Sequence, residues 1–185
     1  SSGMHRQPLY YVLGALLVAN LKDPIDLPPP NPFWAYEQYQ ASRDNKLQFL
    51  PTDANSYPYT GTALVVHILR LWSLLLAMGT TIVTWSIGKM IWPDSPNKVA
   101  AMLTVTTLNP MFVYISGSIN NDNLITLLGT MCIWLSILAV RDGFTAKTTL
   151  LIGLTWGCAL LSKLTGLLLI SSWGIALLIT SLKTR

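Results

Sequence analysis

A run of four polar residues, Asn120 to Asn123, interrupts the apolar stretch ISGSINNDNLITLLGTMCIWL at 115–135. Polar side chains are costly in hydrocarbon and cheap at a membrane surface, so the run marks either a water-exposed turn or a polar site. Asp122 is its ionisable member, and Lys163 ends a later apolar run. One interpretation makes Asp122 a functional carboxylate at the membrane surface that faces Lys163. Because Asn and Asp are also favoured in turns and helix caps, a simple polar hairpin stays open as the alternative.

The composition indicates the solvent in which these residues lie. Of the 185 residues, 51% are hydrophobic and only 11% are charged, and the mean hydropathy is +0.46. Such a chain is too apolar for an ordinary soluble domain, and its apolar residues come in long blocks. The predicted fold is therefore all-α, a polytopic helix bundle in a lipid bilayer. The net charge of +4 comes mainly from short loops and gives no evidence of nucleic-acid binding.

About five apolar segments are predicted to cross the bilayer. The longest, Ala63 to Trp92, has its ionisable groups near its ends. The segment at 9–21 is too short to cross, which predicts an interfacial or re-entrant helix with Tyr10 and Tyr11 at headgroup level. The predicted spans are about 63–88, 98–117, 122–140, 148–162 and 165–182.

The distribution of charge predicts the orientation. Residues 22–62 are rich in proline and carry three basic and five acidic residues, as expected of an extramembrane loop. The loops at 89–98 and 141–147 and the end at 183–185 are basic, so the positive-inside rule makes them cytoplasmic, together with the C-terminus. The predicted organisation is an outer-face interfacial helix at 1–21, an extracytoplasmic loop at 22–62 and a transmembrane bundle at 63–185.

Metal and cofactor sites are not predicted. His67 lies within the first certain span and His5 is the only other histidine, so a metal ion would lack ligands. Cys132 and Cys158 lie in different predicted spans, which favours two buried apolar side chains over a redox pair.

Four stretches of the chain form an ordered set of motifs. The first, HRQPLYYVLGALL at 5–17, is followed by a span with Arg70 near its outer end. A proline then precedes the acidic turn, and a glycine-rich helix ends in Leu-Ser-Lys at 161–163. The later stretches are LVVHILRLWSLLLAMGTTIVTWSIGKMIWP, AAMLTVTTLNPMFVYISGSINNDNLITLLGTMCIWLSILAVRDG and LIGLTWGCALLSKLTGLLLI. Their order resembles the GT-C superfamily of membrane glycosyltransferases, which includes protein O-mannosyltransferases and the lipid A aminoarabinose transferase, and whose first outer loop holds a His-Pro-Pro-Leu-Tyr-Tyr segment.

The resemblance implies a membrane glycosyltransferase. Such an enzyme would transfer a sugar from a polyprenyl-phosphate donor to an acceptor on the outer side of a bacterial plasma membrane. Asp122 matches the family's outer-turn acid and becomes a candidate catalytic base. Lys163 and Arg70 become candidates for binding the donor phosphate, and His5 matches the histidine of the first-loop motif.

The chain departs from the family pattern near its start. The acid usually assigned as the base lies upstream of the His-Pro-Pro-like motif, where this sequence has only Ser1 to Met4. Gln7 stands where the family often has proline, and Asp26, a further candidate base, comes after the motif. The predicted topology also places Ser1 outside without a preceding span. These features predict a fragment of a longer chain that is inactive by itself.

A second class of function stays open, a non-catalytic subunit that packs within a larger membrane protein complex. Gly153 and Gly157 have the four-residue spacing of a helix-contact motif, which fits internal packing as well as a partner interface. A secondary transporter is disfavoured because no inverted repeat appears and no charge lies mid-span.

Overall fold

The computed structural model describes residues 7–21 and 56–183, and every regular element within these ranges is helical. His5, Asp26 and most of the predicted extracytoplasmic loop lie outside the described residues. The elements are α1 (Leu9–Val18), α2 (Gly61–Ile91), α3 (Pro96–Thr107), α4 (Pro110–Ser116), α5 (Asp122–Asp142), α6 (Ala146–Ser162), a 3₁₀ helix (Leu164–Leu169) and α7 (Ile170–Lys183).

Three helical segments of the described chain are long and apolar enough to cross a membrane. They are α2, α5 and the run from the 3₁₀ helix through α7, Leu164–Lys183, and the bent pair of α3 and α4 makes a fourth if it counts as one span. The helices α1 and α6 are shorter, with 10 and 17 residues. Many large apolar side chains stay exposed on these helices, as lipid-facing side chains do, including Leu74, Ile133, Leu154 and Leu178. The prediction of an all-α membrane fold is confirmed.

The apolar stretch predicted as one span at about 98–117 is two helices, α3 and α4, that meet at an angle of 63°. Pro110 has no N–H to continue the hydrogen-bond ladder, and it restricts the residue before it to extended conformations. Asn109 is extended (φ −60°, ψ 121°), and its Oδ1 accepts hydrogen bonds from the N–H groups of Met111 (2.9 Å) and Phe112 (3.4 Å). The bend therefore comes from a proline stop followed at once by a capped new helix.

The chain divides into two compact units, one comprising residues 1–16 and 70–185 and the other 17–69. In the described part of the second unit, the start of α2 holds His67. Its Nδ1 donates to the carbonyl of Ala63 (2.7 Å), and its ring stacks on Tyr59 with 3.7 Å between ring centroids. These contacts describe a packed histidine.

In the larger unit, α5 is the central helix and packs against α6 and α7. One apolar cluster forms towards its C-terminal half around Leu135, Ala139 and Ile152. A second cluster forms at its N-terminal end, where Leu124 meets Tyr10 of α1 and Leu76 of α2. The second cluster lies directly beside the polar run, so apolar packing positions the turn that carries Asp122.

Glycines allow close helix contacts at some positions and not at others. A Cβ on Gly79 would lie 3.3 Å from Leu127, and one on Gly88 would lie 2.7 Å from Met102, so both glycines serve packing within the chain. A Cβ on Gly153 or on Gly157 would meet no heavy atom within 4 Å among the described residues. Their four-residue spacing is therefore not used for packing in the described structure.

Candidate functional site

The polar run builds the turn between α4 and α5. Asn123 is buried, with 4% of its surface exposed, and its Nδ2 donates to the carbonyls of Ile115 (2.9 Å) and Ser118 (3.1 Å), with a longer contact to that of Asn120 (3.3 Å). Asn120 caps the new helix, because its Oδ1 accepts from the N–H of Asp122 (3.0 Å). Two of the four polar residues thus satisfy backbone groups that the turn would otherwise leave unpaired.

The other two polar residues reach out of the turn. The side chain of Asn121 makes no capping hydrogen bond to its own helix, and its Nδ2 donates to the carbonyl of Ser162 (3.0 Å), the last residue of α6. Asp122 Oδ1 accepts from Lys163 Nζ in a salt bridge. The two residues that the sequence singled out as complementary charges therefore meet, although 41 residues separate them.

The ion pair is partly open to its surroundings. The side chain of Asp122 is 28% exposed and that of Lys163 is 37% exposed. Asp122 Oδ2 accepts no hydrogen bond from the described residues, and Lys163 Nζ donates to no second acceptor among them. An ammonium group has three N–H donors, so two remain for a ligand while the salt bridge stays intact.

The chain around Lys163 is held tightly. Lys163 is extended (φ −160°, ψ 140°) between α6 and the 3₁₀ helix, and its N–H donates to the carbonyl of Ala159 (2.9 Å). A Cβ on Gly166 would lie 2.8 Å from the carbonyl carbon of Ala159, so glycine is required here for space. The carbonyl of Gly166 accepts from Trp156 Nε1 (2.9 Å). These contacts fix the position of the Lys163 backbone, from which its side chain extends to Asp122.

Tyr10 joins α1 to this end of the unit. It is 1% exposed, and its hydroxyl shares a hydrogen bond of 2.8 Å with the Ser73 hydroxyl of α2. Burial raises the pKa of the Tyr10 phenol above its ordinary value, while the bond to Ser73 and a contact with the backbone of Asn120 act in the opposite direction. The sequence predicted that Tyr10 lies at headgroup level and did not predict this hydrogen bond to α2. The available signal was its position in the first-loop motif.

A cavity of about 460 Å³ lies beside the turn, between α2, α3, α4 and α5. No sequence signal indicated it, because its walls come from four helices. The lining residues are Ala77, Thr80, Val105, Thr106, Asn109, Met111, Phe112, Ile115, Asn123 and Thr126.

The remaining predicted site residues are not joined to the ion pair. Arg70 is exposed on α2 and forms no salt bridge with a described residue. His5 and Asp26 lie outside the described residues. Within residues 7–21 and 56–183, no three His, Cys, Asp or Glu side chains are grouped as metal ligands.

Apolar helices of membrane-spanning length, with a partly open ion pair where two inter-helix turns meet, define an integral membrane protein with a polar site at helix ends. The family model for dolichyl-phosphate-mannose-protein mannosyltransferases matches residues 63–185, roughly two thirds of the chain, and the chain belongs to this family of membrane glycosyltransferases. The predicted resemblance to the GT-C superfamily is confirmed. No curated protein and no solved structure matches the chain.

Proposed function

We propose that this chain contributes the donor-phosphate site of a glycosyltransferase that uses a polyprenyl-phosphate sugar. The observation that carries the proposal is the partly exposed salt bridge between Asp122 and Lys163. A phosphate leaving group needs cations or hydrogen-bond donors to stabilise its developing charge. The family membership of the chain makes this the first chemistry to test at that pair.

In the proposed reaction, the oxygen of an acceptor hydroxyl attacks the anomeric carbon of the sugar. The bond from that carbon to the phosphate oxygen breaks, its electron pair stays on the phosphate, and the hydroxyl proton passes to a base. The two remaining N–H groups of Lys163 would hold the phosphate. Asp122 Oδ2 is available to accept the proton, which makes Asp122 the candidate base within the described residues.

Asp122 also fits a second role in the same reaction. Its Oδ1 holds the Lys163 ammonium, so removal of the carboxylate would free a flexible lysine side chain from its position. In that case Asp122 is a positioning residue, and the base comes from elsewhere, with Asp26 as the candidate on this chain. Arg70 and His5 are proposed as further groups that bind the donor.

We infer that the site faces the outer side of a bacterial plasma membrane. Basic residues at the far ends of the same helices support this orientation, because positive charge favours the cytoplasmic side. They are Arg141 on α5, Lys147 on α6 and Lys183 on α7. The acceptor is proposed to be a hydroxyl group delivered at that outer surface.

The test is a sugar-transfer assay on the full natural chain in proteoliposomes, with polyprenyl-phosphate mannose as the donor probe. We expect Lys163→Ala to lower kcat/KM by about 100-fold, the order found when a donor that stabilises developing charge is removed. Asp122→Asn distinguishes the two roles of Asp122. If Asp122 is the base, the substitution lowers kcat and leaves the KM for the donor unchanged. If Asp122 positions Lys163, the substitution raises the KM for the donor.

Asp142→Asn is the matched control, because it removes a salt-bridged carboxylate at the opposite end of the same helix. It should retain transfer. Full activity in both Lys163→Ala and Asp122→Asn would refute the proposal and favour the alternative of a non-catalytic subunit within a membrane complex.

A further inference from the structure

The cavity beside the polar turn combines an apolar wall with polar atoms and contains no charge. Val105, Met111, Phe112 and Ile115 form much of the apolar wall, and none of the ten lining residues is ionisable. Val105 and Met111 are 76% and 63% exposed, so the cavity opens on a side of the chain that carries apolar surface. Its volume of about 460 Å³ lies in the ordinary range for a small-molecule site.

The threonines of the cavity already use their hydroxyl protons. Thr80 donates to the carbonyl of Leu76 (3.1 Å), Thr106 to that of Met102 (2.9 Å) and Thr126 to that of Asp122 (2.6 Å). Each hydroxyl bonds back to its own helix, so only its oxygen lone pairs remain for a ligand. The threonines therefore present acceptors.

Two asparagines leave one further acceptor and one donor. Asn123 is more than nine-tenths buried, and its Nδ2 is held by the carbonyls of the turn, so the hydrogen-bond network identifies Oδ1 as the other amide atom. That oxygen accepts no hydrogen bond from the described residues, so it is left as an acceptor for a ligand. Asn109 shows the opposite pattern, because its Oδ1 caps α4 while its Nδ2 has no acceptor among the described residues.

We propose that this cavity binds the uncharged, hydroxyl-bearing headgroup of a membrane lipid, such as a glycerol hydroxyl. A hydroxyl group donates one hydrogen bond and accepts others, which matches the Asn123 oxygen, the threonine oxygens and the Asn109 amide. A phosphate would find no cation here, so the anionic donor lipid is not the occupant. The apolar wall and its opening on an apolar surface identify the source as a lipid. The inference does not depend on the proposed function, since it concerns binding at different side chains.

The test measures binding to the full chain in detergent by native mass spectrometry, with three matched probes. Dioctanoylglycerol carries the hydroxyl, its 3-acetyl ester lacks the donor, and dioctanoyl phosphatidic acid replaces the hydroxyl by an anion. We expect saturable binding of dioctanoylglycerol about 10-fold tighter than that of either other probe, the effect of one satisfied buried hydrogen bond.

Two neighbouring threonines give a matched pair of variants. Thr106 lines the cavity and Thr107 does not, yet both donate to the carbonyl four residues earlier, at 2.9 Å and 2.8 Å. Thr106→Leu should fill the cavity and weaken dioctanoylglycerol binding about 10-fold, which corresponds to the loss of one hydrogen bond. Thr107→Leu should leave binding unchanged.

A second pair of variants distinguishes a loss of binding from misfolding. Asn109→Asp keeps the oxygen that caps α4 but replaces the free amide donor by a negative charge, and Asn97→Asp adds the same charge in the first turn of α3. Asn109→Asp should weaken dioctanoylglycerol binding and Asn97→Asp should not.

Three results would overturn the proposal: equal binding of dioctanoylglycerol and its acetyl ester, equal loss of binding in both threonine variants, or a preference for phosphatidic acid. Because no sugar transfer is measured, its failure is separate from a failure of the proposed function.

Discussion

The two ends of α5 carry the same chemistry in different arrangements. At its N-terminal end Asp122 pairs with Lys163, a residue 41 positions away, and both side chains are partly buried. At its C-terminal end Arg141 pairs with its immediate neighbour Asp142, with 2.7 Å between Arg141 Nε and Asp142 Oδ1, and both side chains are more than half exposed. A salt bridge between adjacent residues does not connect separate parts of the chain. The salt bridge between Asp122 and Lys163 connects the turn before α5 to the turn after α6.

The glycines at the two ends differ in the same way. Gly143 follows α5 with φ +88°, and a Cβ there would meet no described heavy atom within 4 Å. Glycine is therefore required at this position only because of the backbone conformation. Gly166 has an ordinary conformation and is required because the backbone of Ala159 lies against it. The ion pair and the glycine at the N-terminal end of α5 therefore depend on tertiary contacts, whereas those at its C-terminal end depend on local ones. A site that needs fixed geometry belongs at the first end.

The largest expected effect tests that tight backbone contact. Gly166→Ala forces a Cβ to within 2.8 Å of a carbonyl carbon, which should destabilise the chain by about 1–3 kcal/mol, as overpacking does. Gly153→Ala is the control, because it enters open space on a helix and should be neutral or stabilise by up to about 1 kcal/mol. Unfolding of the purified protein in mixed micelles with increasing denaturing detergent measures both. Equal stability of the two variants would break the contrast between the ends.

A smaller effect is expected from the anchor of α1. Tyr10→Phe removes the hydrogen bond to Ser73 and keeps the buried ring, so we expect a loss of about 1 kcal/mol. The same unfolding measurement reports it, and limited proteolysis within α1 should become faster if Tyr10 holds that helix in place. Unchanged stability and unchanged proteolysis would show that packing alone is sufficient.

The smallest effect is expected from the ion pairs themselves. A double-mutant cycle with Asp122→Asn and Lys163→Gln should give a coupling of up to about 1 kcal/mol, because the pair is only partly buried. The corresponding cycle with Arg141→Gln and Asp142→Asn should give no measurable coupling, since both side chains are more than half exposed and solvent screens the pair. A larger coupling at Arg141 and Asp142 would reverse the comparison drawn from the structure.

The sequence by itself determined the solvent, the helical class and the family. The solvent and the helical class follow from runs of about 20 apolar residues, a local property that holds wherever each helix packs. The family follows from the resemblance of the ordered motifs along the chain. It also identified Asp122 and Lys163 as the charges to examine, because polar residues that interrupt apolar runs stand out against their neighbours. The roles of Asp26, His5 and Arg70 stay predictions.

Only the tertiary structure decided which of these residues meet. The contact between Asp122 and Lys163 depends on how α5 packs against α6 and on the close approach of Gly166 to the backbone of Ala159. The separation of 41 positions in the sequence predicts neither of these. The burial of Tyr10 and the cavity beside Asn123 likewise need several helices in place at once. Local composition is enough to specify a helix. A contact between distant residues depends on how every element between them packs, and the sequence pattern does not specify that packing.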